Sequence, residues 1–183
     1  IFFLLFLSVV ISCSQQPKSI HQTESESKKN TPNVNLSGIQ IGLDILLNEK
    51  IDLIKNKNIA LVTNHSGVDS YGTPNYERLM NEKDVHIKII FSPEHGLFGE
   101  AAAGEKVEYD GQVKTLPEVV SLYGSNRKPT YQQMEGLDYI IYDIQDVGAR
   151  FYTYITTLGL IMESASAANV KVIVLDRPNP IKG

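Results

Sequence analysis

The segment from Phe91 to Gly99, FSPEHGLFG, places a carboxylic acid and an imidazole side by side after an apolar run. Pro93 restricts the backbone before the acid, and Gly96 permits dihedral angles after the imidazole that other residues avoid. In open α/β sheets, ligands bind at the carboxyl ends of the strands. The segment therefore predicts a rigid turn that presents Glu94 and His95 over a site, although an ordinary surface turn has a similar pattern.

Three other apolar runs also end in polar residues. The carboxyl ends of parallel strands share one edge of a sheet, so these side chains are predicted to converge in one cleft. The loops at the opposite edge, such as 56–58 and 82–84, carry only residues common on any surface. Besides Glu94 and His95, the residues predicted to form the cleft are Asn64, His65, Asp143, Gln145, Asp146, Arg150, Tyr152, Asp176, Arg177 and Asn179.

Several of these residues also have structural explanations. Asn64 and Asp143 are of the types that cap helices and turns. Arg150 and Arg177 could instead form structural ion pairs with Asp143, Asp146 or Asp176. Each residue alone is more often structural than catalytic, but their shared position after four strands favours a site.

Neither a metal nor a cofactor is predicted. Two histidines with Glu and Asp would suit zinc, but no HxxxH or HxH spacing is present. Gly-x-Gly-x-x-Gly and the phosphate-binding loop are absent, and Ser66 and Ser92 lack the Gly-x-Ser-x-Gly elbow of serine hydrolases. A metal-free acid/base site is the favoured interpretation.

The elements that must hold these residues alternate between strand and helix. Continuous Val, Ile and Leu runs predict strands at 58–63, 85–91, 119–122, 137–144 and 170–175, separated by helices near 41–51, 75–82, 130–135 and 151–168. Such strands are typical of a parallel sheet that is buried on both faces. The predicted fold class is α/β, with a Rossmann-like parallel sheet and helices on both faces.

The amino-terminal region predicts export. Residues 1–12 form an apolar run that is too short to span a bilayer and matches the core of a signal peptide. The junction Val10-Ile11-Ser12-Cys13 resembles a bacterial lipobox, so Cys13 is expected to carry lipid. Residues 13–38 are polar and predict a flexible tether. The predicted location is the membrane surface of the periplasm or cell envelope.

Residues 39–183 are predicted to form the folded domain. The chain of 183 residues has 42% hydrophobic residues and a net charge of -4, which is ordinary for a globular domain and argues against nucleic-acid binding. It begins with Ile and ends soon after a strand. We therefore expect the domain to be incomplete and a further carboxyl-terminal region to follow.

The chain resembles the exo-β-N-acetylmuramidases, a bacterial family once grouped only as a domain of unknown function. The matching stretches are GLD at 42–44, LVTNHSG at 61–67, FSPEHGL at 91–97, SLYG at 121–124, DIQDVGARFYTY at 143–154 and LDRPNP at 175–180. The resemblance implies a Rossmann-like catalytic domain followed by a smaller auxiliary domain. It also implies a glycosidase that releases N-acetylmuramic acid from the non-reducing end of peptidoglycan fragments.

For that reaction we expect two carboxyl groups with different roles. Glu94 is expected to be the general acid, with His95 orienting it. Asp146 or Asp143 would be the second carboxylate, and Arg150 or Arg177 would bind the lactyl carboxylate of the substrate.

The remaining cleft residues are assigned to the sugar. Asn64, His65, Gln145 and Asn179 suit its hydroxyl and acetamido groups, and Tyr152 and Tyr154 would form an aromatic wall or pack in the core. The alternative function is a non-enzymatic lipoprotein that binds sugars for uptake. An esterase or amidase would need a nucleophile that the sequence does not offer.

Overall fold

The structure, a computed structural model, describes residues 39–99 and 116–181. The strands there are β1 (Lys57–Thr63), β2 (Val85–Ser92), β3 (Glu118–Ser121), β4 (Tyr139–Asp143) and β5 (Lys171–Val174). The α-helices are α1 (Gly42–Glu49), α2 (Asn75–Met80), α3 (Tyr131–Met134) and α4 (Tyr154–Ala167), and a short 3-10 helix covers Ile51–Leu53. The order of strands and helices is the one that the sequence predicted, with no helix between β2 and β3 in the described ranges.

The five strands form one sheet in the order β3-β2-β1-β4-β5, and every neighbouring pair is parallel. The chain first moves outward from β1 through β2 to β3. It then returns to the other side of β1 and continues through β4 to β5. The order of the strands therefore reverses between β1 and β4, which is the position where open sheets of this kind form a ligand crevice.

Helices cover both faces of the sheet. On one face, α1 and α2 pack Leu43, Leu46 and Leu79 against Leu61 and other strand residues. On the opposite face, α3 and α4 pack against alternate residues of the same strands, including Val62, Phe91 and Ile140. Burial on both sides explains why the middle of β1 and β4 and the second half of β2 are apolar. The predicted Rossmann-like α/β fold is confirmed.

Local hydrogen bonds determine where helices α3 and α4 begin. Thr130 caps α3 through a capping box with Gln133, and Gly136 follows with φ of 74°. Helix α4 begins at Tyr154 rather than 151, because a turn between the Ala149 carbonyl and the Tyr152 amide precedes it. The early start predicted for α4 was therefore wrong by about one turn of helix.

Residues 1–38 lie outside the part of the chain that the structure describes, and so do the predicted signal segment, Cys13 and the tether. Within the described ranges no helix has the length and apolar character needed to cross a membrane.

Candidate active site at the carboxyl edge of the sheet

The four predicted strand ends lie at one edge of the sheet, as expected. β1, β2, β4 and β5 run in the same direction, and Thr63 at the end of β1 is paired with Asp143 at the end of β4. Asn64, Glu94, Asp146 and Arg177 come directly after these ends and so belong to the same edge. The loops after β1 and β4 flank the reversal of strand order, and they form the centre of the site.

A buried ion pair lies beneath this edge. Arg177 donates from Nε to Asp143 Oδ1 at 2.6 Å and from Nη2 to Asp143 Oδ2 at 2.9 Å. The Asp143 side chain is fully buried, and that of Arg177 is 6% exposed. The same Nη2 also donates to the Val68 carbonyl at 2.9 Å. The structure therefore shows the ion pair that was one of the alternatives for these residues, and this pair joins the loops after β1, β4 and β5.

Asn75, at the start of α2, completes the polar core under the site. Its Nδ2 donates to Asp143 Oδ2 and to Thr63 Oγ1, both at 2.7 Å. Thr63 Oγ1 in turn donates to the Asp143 carbonyl at 3.0 Å. Gly67 lies so close to these atoms that a Cβ there would collide with the Thr63 and Asn75 side chains. The loop after β1 is thus packed tightly onto β4.

A second network links β4 to the start of α4. The Gln145 amide donates to Ser66 Oγ at 3.0 Å, and Ser66 Oγ donates to Asn64 Oδ1 at 2.6 Å. Asn64 Nδ2 donates to the Tyr154 hydroxyl at 3.1 Å. Asn64 is only 2% exposed. The amide predicted to bind sugar is therefore enclosed by protein and directed at Tyr154.

The Glu94–His95 turn has an unusual backbone. His95 has φ of 72° and Gly96 φ of 76°, so two consecutive residues adopt left-handed conformations. Only the glycine does so without steric cost, and a positive φ at a non-glycine residue is uncommon. Leu97, 1% exposed, packs into the core directly after the turn. The strained turn leaves Glu94 and His95 partly exposed beside α4.

An open pocket of about 300 Å³ lies at this turn. It is lined by Glu94, His95 and residues 151–154. Phe151, Tyr152 and Tyr154 form a row of rings, with centroids 5.4 Å apart for the first pair and 5.9 Å for the second. Phe151 is 82% exposed and Tyr154 is 8% exposed, so the row runs from solvent into the core. Such a row offers an apolar wall beside a carboxylate.

The surroundings of the Tyr154 phenol raise its pKa. Burial is the main cause that raises its pKa, and the nearby groups Tyr152, Glu94 and Asp146 add to the rise. The hydrogen bond from Asn64 acts in the opposite direction. Both candidate carboxylates therefore lie close enough to this phenol to repel a phenolate.

The remaining predicted residues lie around this centre with different exposure. Asp146 is partly exposed, and its Oδ1 accepts a bond from the Gly148 amide at 2.7 Å. Gln145 donates from Nε2 to the carbonyls of Asp146 and Pro178, at 2.8 and 2.9 Å, so its side chain holds two loops together. The exposed members of the predicted set are His65, Arg150, Tyr152, Asp176 and Asn179.

Two of these exposed residues have structural contacts. His65 packs where a Cβ on Gly99 would be, and Asn179 accepts a bond from the Ile181 amide at 2.9 Å. Across residues 39–99 and 116–181, no three His, Cys, Asp or Glu side chains are grouped as a metal site would require. The arrangement offers carboxylates, amides and an exposed guanidinium.

Sequence reasoning missed three residues that shape the site: Ser66, Asn75 and Thr63. The Asn64-His65-Ser66 spacing is a recognisable signal, because an Asn side chain often accepts a bond from the amide two residues on, as happens here at 3.0 Å. Asn75 has no comparable signal, since nothing in the local sequence shows that a polar residue opening α2 is buried against β4.

Comparison with known proteins places these residues in a family. Residues 59–183 match the family described as exo-beta-N-acetylmuramidase NamZ, N-terminal. The chain belongs to this NamZ N-terminal family. A curated relative, the peptidoglycan beta-N-acetylmuramidase NamZ of Bacillus subtilis, is 37% identical over 180 residues, which are 98% of this chain and 41% of the relative. The chain thus spans about two fifths of that protein.

Two solved structures share the NamZ-type fold. Both are DUF1343 family proteins from Bacteroides fragilis. One has 37% identity and a TM-score of 0.68, with 78% of this chain and 35% of that chain covered. The other has 34% identity and a TM-score of 0.61, with 77% and 35% covered. The family resemblance expected from the sequence motifs is confirmed, and the whole candidate site lies within the matched NamZ region.

Proposed function

We propose that this chain carries the carboxyl-edge part of the active site of an exo-acting glycoside hydrolase. The substrate would be a peptidoglycan fragment with N-acetylmuramic acid at its non-reducing end. The observation that carries the proposal is the pocket in which Glu94 lies beside the aromatic row, at the carboxyl edge of the sheet. The peptidoglycan beta-N-acetylmuramidase named above supports the choice of substrate.

Glu94 is the proposed general acid. Hydrolysis of a glycoside requires protonation of the leaving oxygen and a second group that activates water or attacks the anomeric carbon. Glu94 is partly buried on a constrained turn, and His95 follows it directly. Asp146 is the proposed second carboxylate, because Asp143 is fully buried and already occupied by Arg177 and Asn75. Both Glu94 and Asp146 lie near Tyr154.

Arg150 is the proposed binding group for the lactyl carboxylate of the substrate. Arg177 has three hydrogen bonds to protein and is nearly buried, whereas Arg150 is exposed and lies in the sequence between Asp146 and the aromatic row. A guanidinium binds a carboxylate through paired, charge-assisted hydrogen bonds. The exposed side chains of His65 and Asn179 and the partly exposed Gln145 would contact other polar groups of the saccharide.

The lipid anchor remains a separate proposal. Cys13 follows an apolar run and precedes a polar segment in the sequence. Attachment of lipid at this cysteine would tether the hydrolase to a membrane of the cell envelope while leaving its folded domain free to reach soluble fragments.

The decisive experiment assays the full-length protein on a chromogenic N-acetylmuramic acid glycoside and on a natural muramic-acid disaccharide. Glu94→Gln keeps the size of the side chain but cannot donate a proton. We expect it to slow hydrolysis of the disaccharide by about 10²–10⁴-fold, with a smaller loss on the activated glycoside. Binding of the saccharides without turnover by the unaltered protein would favour the sugar-binding lipoprotein instead.

A further inference from the structure

The hydrogen bonds between β4 and α4 have only one possible direction. The Gln145 backbone N–H is able only to donate, so Ser66 Oγ must accept from it and must use its own hydrogen elsewhere. That hydrogen goes to Asn64 Oδ1, which also accepts from the Ser66 backbone amide at 3.0 Å. Two donors therefore fix which end of the Asn64 amide is the oxygen.

This orientation determines the role of the Tyr154 hydroxyl. The Asn64 nitrogen faces Tyr154 at 3.1 Å and donates to it, so the phenol oxygen is the acceptor in this bond. The phenol still has its own hydrogen to donate. Among residues 39–99 and 116–181, no atom accepts that hydrogen. Bonds in such a series polarise one another, which makes the terminal O–H a better donor.

The residue that carries this terminal donor lines the pocket. Tyr154 lines the same cavity of about 300 Å³ as Glu94 and His95. Burial of Asn64 at 2% exposure leaves its amide little room for direct contact with a sugar. The phenol is thus the group through which this network reaches a ligand.

We propose that Tyr154 contacts the substrate by donating a hydrogen bond to a saccharide oxygen held beside Glu94, and that Asn64 is the positioning residue that orients this donor. The inference rests on the proposed function for the identity of the ligand. It gives Tyr154 a polar role besides the two roles expected from the sequence, an aromatic wall or packing in the core. Asn64 in turn acts through Tyr154 rather than on the sugar.

The first test is Tyr154→Phe in the full-length protein, which removes the hydroxyl and keeps the ring. Binding of N-acetylmuramic acid is measured by calorimetry, and KM and kcat are measured on the chromogenic glycoside. Loss of one neutral hydrogen bond should weaken binding roughly 2- to 13-fold. The loss should appear mainly in KM. Tyr139→Phe, a partly buried tyrosine at the opposite end of β4, is the matched control and should bind as the unaltered protein does.

The second test is Asn64→Asp, which reverses the network without removing it. The introduced carboxylate still accepts from Ser66, but the side chain turns from donor to acceptor toward Tyr154. The phenol would then donate to this carboxylate and be withdrawn from the pocket. Asn64→Asp should weaken binding to a similar extent as Tyr154→Phe, and the double variant should be no weaker than Tyr154→Phe alone. If the two substitutions caused independent structural defects, their losses of binding free energy would instead add in the double variant.

The outcomes separate this inference from the proposed function. Suppose that the unaltered protein hydrolyses the disaccharide, and that Tyr154→Phe folds and binds the saccharide with unchanged affinity. This result overturns the Tyr154 contact and leaves the proposed hydrolase function intact. If the unaltered protein does not hydrolyse the disaccharide but Tyr154→Phe binds the saccharide more weakly, the contact is supported and the hydrolase function is rejected. If Tyr154→Phe does not fold, unchanged binding by Asn64→Asp overturns the inference.

Discussion

Asp143→Asn should destabilise the domain strongly although it hardly changes the shape of the side chain. Asp143 accepts two bonds from Arg177, at 2.6 and 2.9 Å, and one from Asn75 at 2.7 Å. An amide has only one acceptor oxygen, so its NH₂ group would face an Arg177 donor in either orientation, and in one orientation the Asn75 donor as well. Arg177, 6% exposed, would remain as a buried charge without a counter-ion.

The expected loss is about 3–5 kcal/mol of unfolding free energy, as is typical when one partner of a buried pair is removed. That is a large share of the roughly 5–15 kcal/mol that stabilises an ordinary domain. Urea unfolding followed by circular dichroism measures it, provided that the m-value is unchanged. Glu163→Gln is the control, because its ion pair with Lys128 at 2.9 Å is solvent-exposed and should contribute at most about 1 kcal/mol.

A further variant tests the cause of the loss. Arg177→Met in the Asp143→Asn background removes the uncompensated charge, so it should recover part of the stability. A loss for Asp143→Asn no larger than that for Glu163→Gln would refute the reasoning, because it would mean that the buried charge finds water or another partner.

The other predictions concern specificity, pH and the anchor. Arg150→Ala should reduce the preference for N-acetylmuramic acid over N-acetylglucosamine glycosides by roughly 10- to 150-fold, since a charge-assisted hydrogen bond contributes about 1.5–3 kcal/mol; an unchanged ratio of the two kcat/KM values would move the role to another cation. Burial raises the pKa of the Tyr142 phenol, with a smaller contribution from the charge of Asp146, so the stability due to this group is present below about pH 10 and is lost as the pH rises above it. Tyr142→Phe should therefore have a lower unfolding free energy than the unaltered protein at neutral pH, because it lacks the 2.9 Å bond to the Tyr154 carbonyl. The difference in unfolding free energy between the two proteins should narrow above pH 10, and a constant difference across the alkaline range contradicts this. Cys13→Ser should move the protein out of the membrane fraction, in cells that are labelled with radioactive fatty acid. The lipid anchor would be rejected if both proteins fractionate equally and the unaltered protein carries no label.

The sequence predicted the fold well because a parallel sheet has a strong signature. Strand segments that are buried on both faces must be apolar, so β1, β4 and the second half of β2 were visible as apolar runs, whereas the first half of β2 carries the exposed His86 and Lys88. The edge of the site followed from the same pattern. What the runs do not encode is side-chain direction, and direction decides that Arg177 points at Asp143 and that Asn64 points at Tyr154.

The backbone conformation at the site could not be predicted fully from the sequence either. Gly96 was an expected position for a left-handed residue, but His95 adopts one as well. A histidine gives no local signal for this, because its Cβ disfavours the conformation and only the surrounding packing imposes it. Such conflicts between local preference and the fold are expected to occur at functional sites.

The central position of β1 has a consequence for how the domain is built during synthesis. β1 pairs with β2 about 28 positions later in the chain, but Thr63 must wait for Asp143, 80 positions away, before its hydroxyl can donate to the Asp143 carbonyl. Closing the longer loop costs about 1 kcal/mol more chain entropy, and contacts of such separation form slowly. The β1–β2 pair is therefore expected to exist first with one side of β1 open. The crevice beside β4 is expected to take shape only when β4 has emerged from the ribosome, which makes the candidate site one of the last parts of the sheet to form.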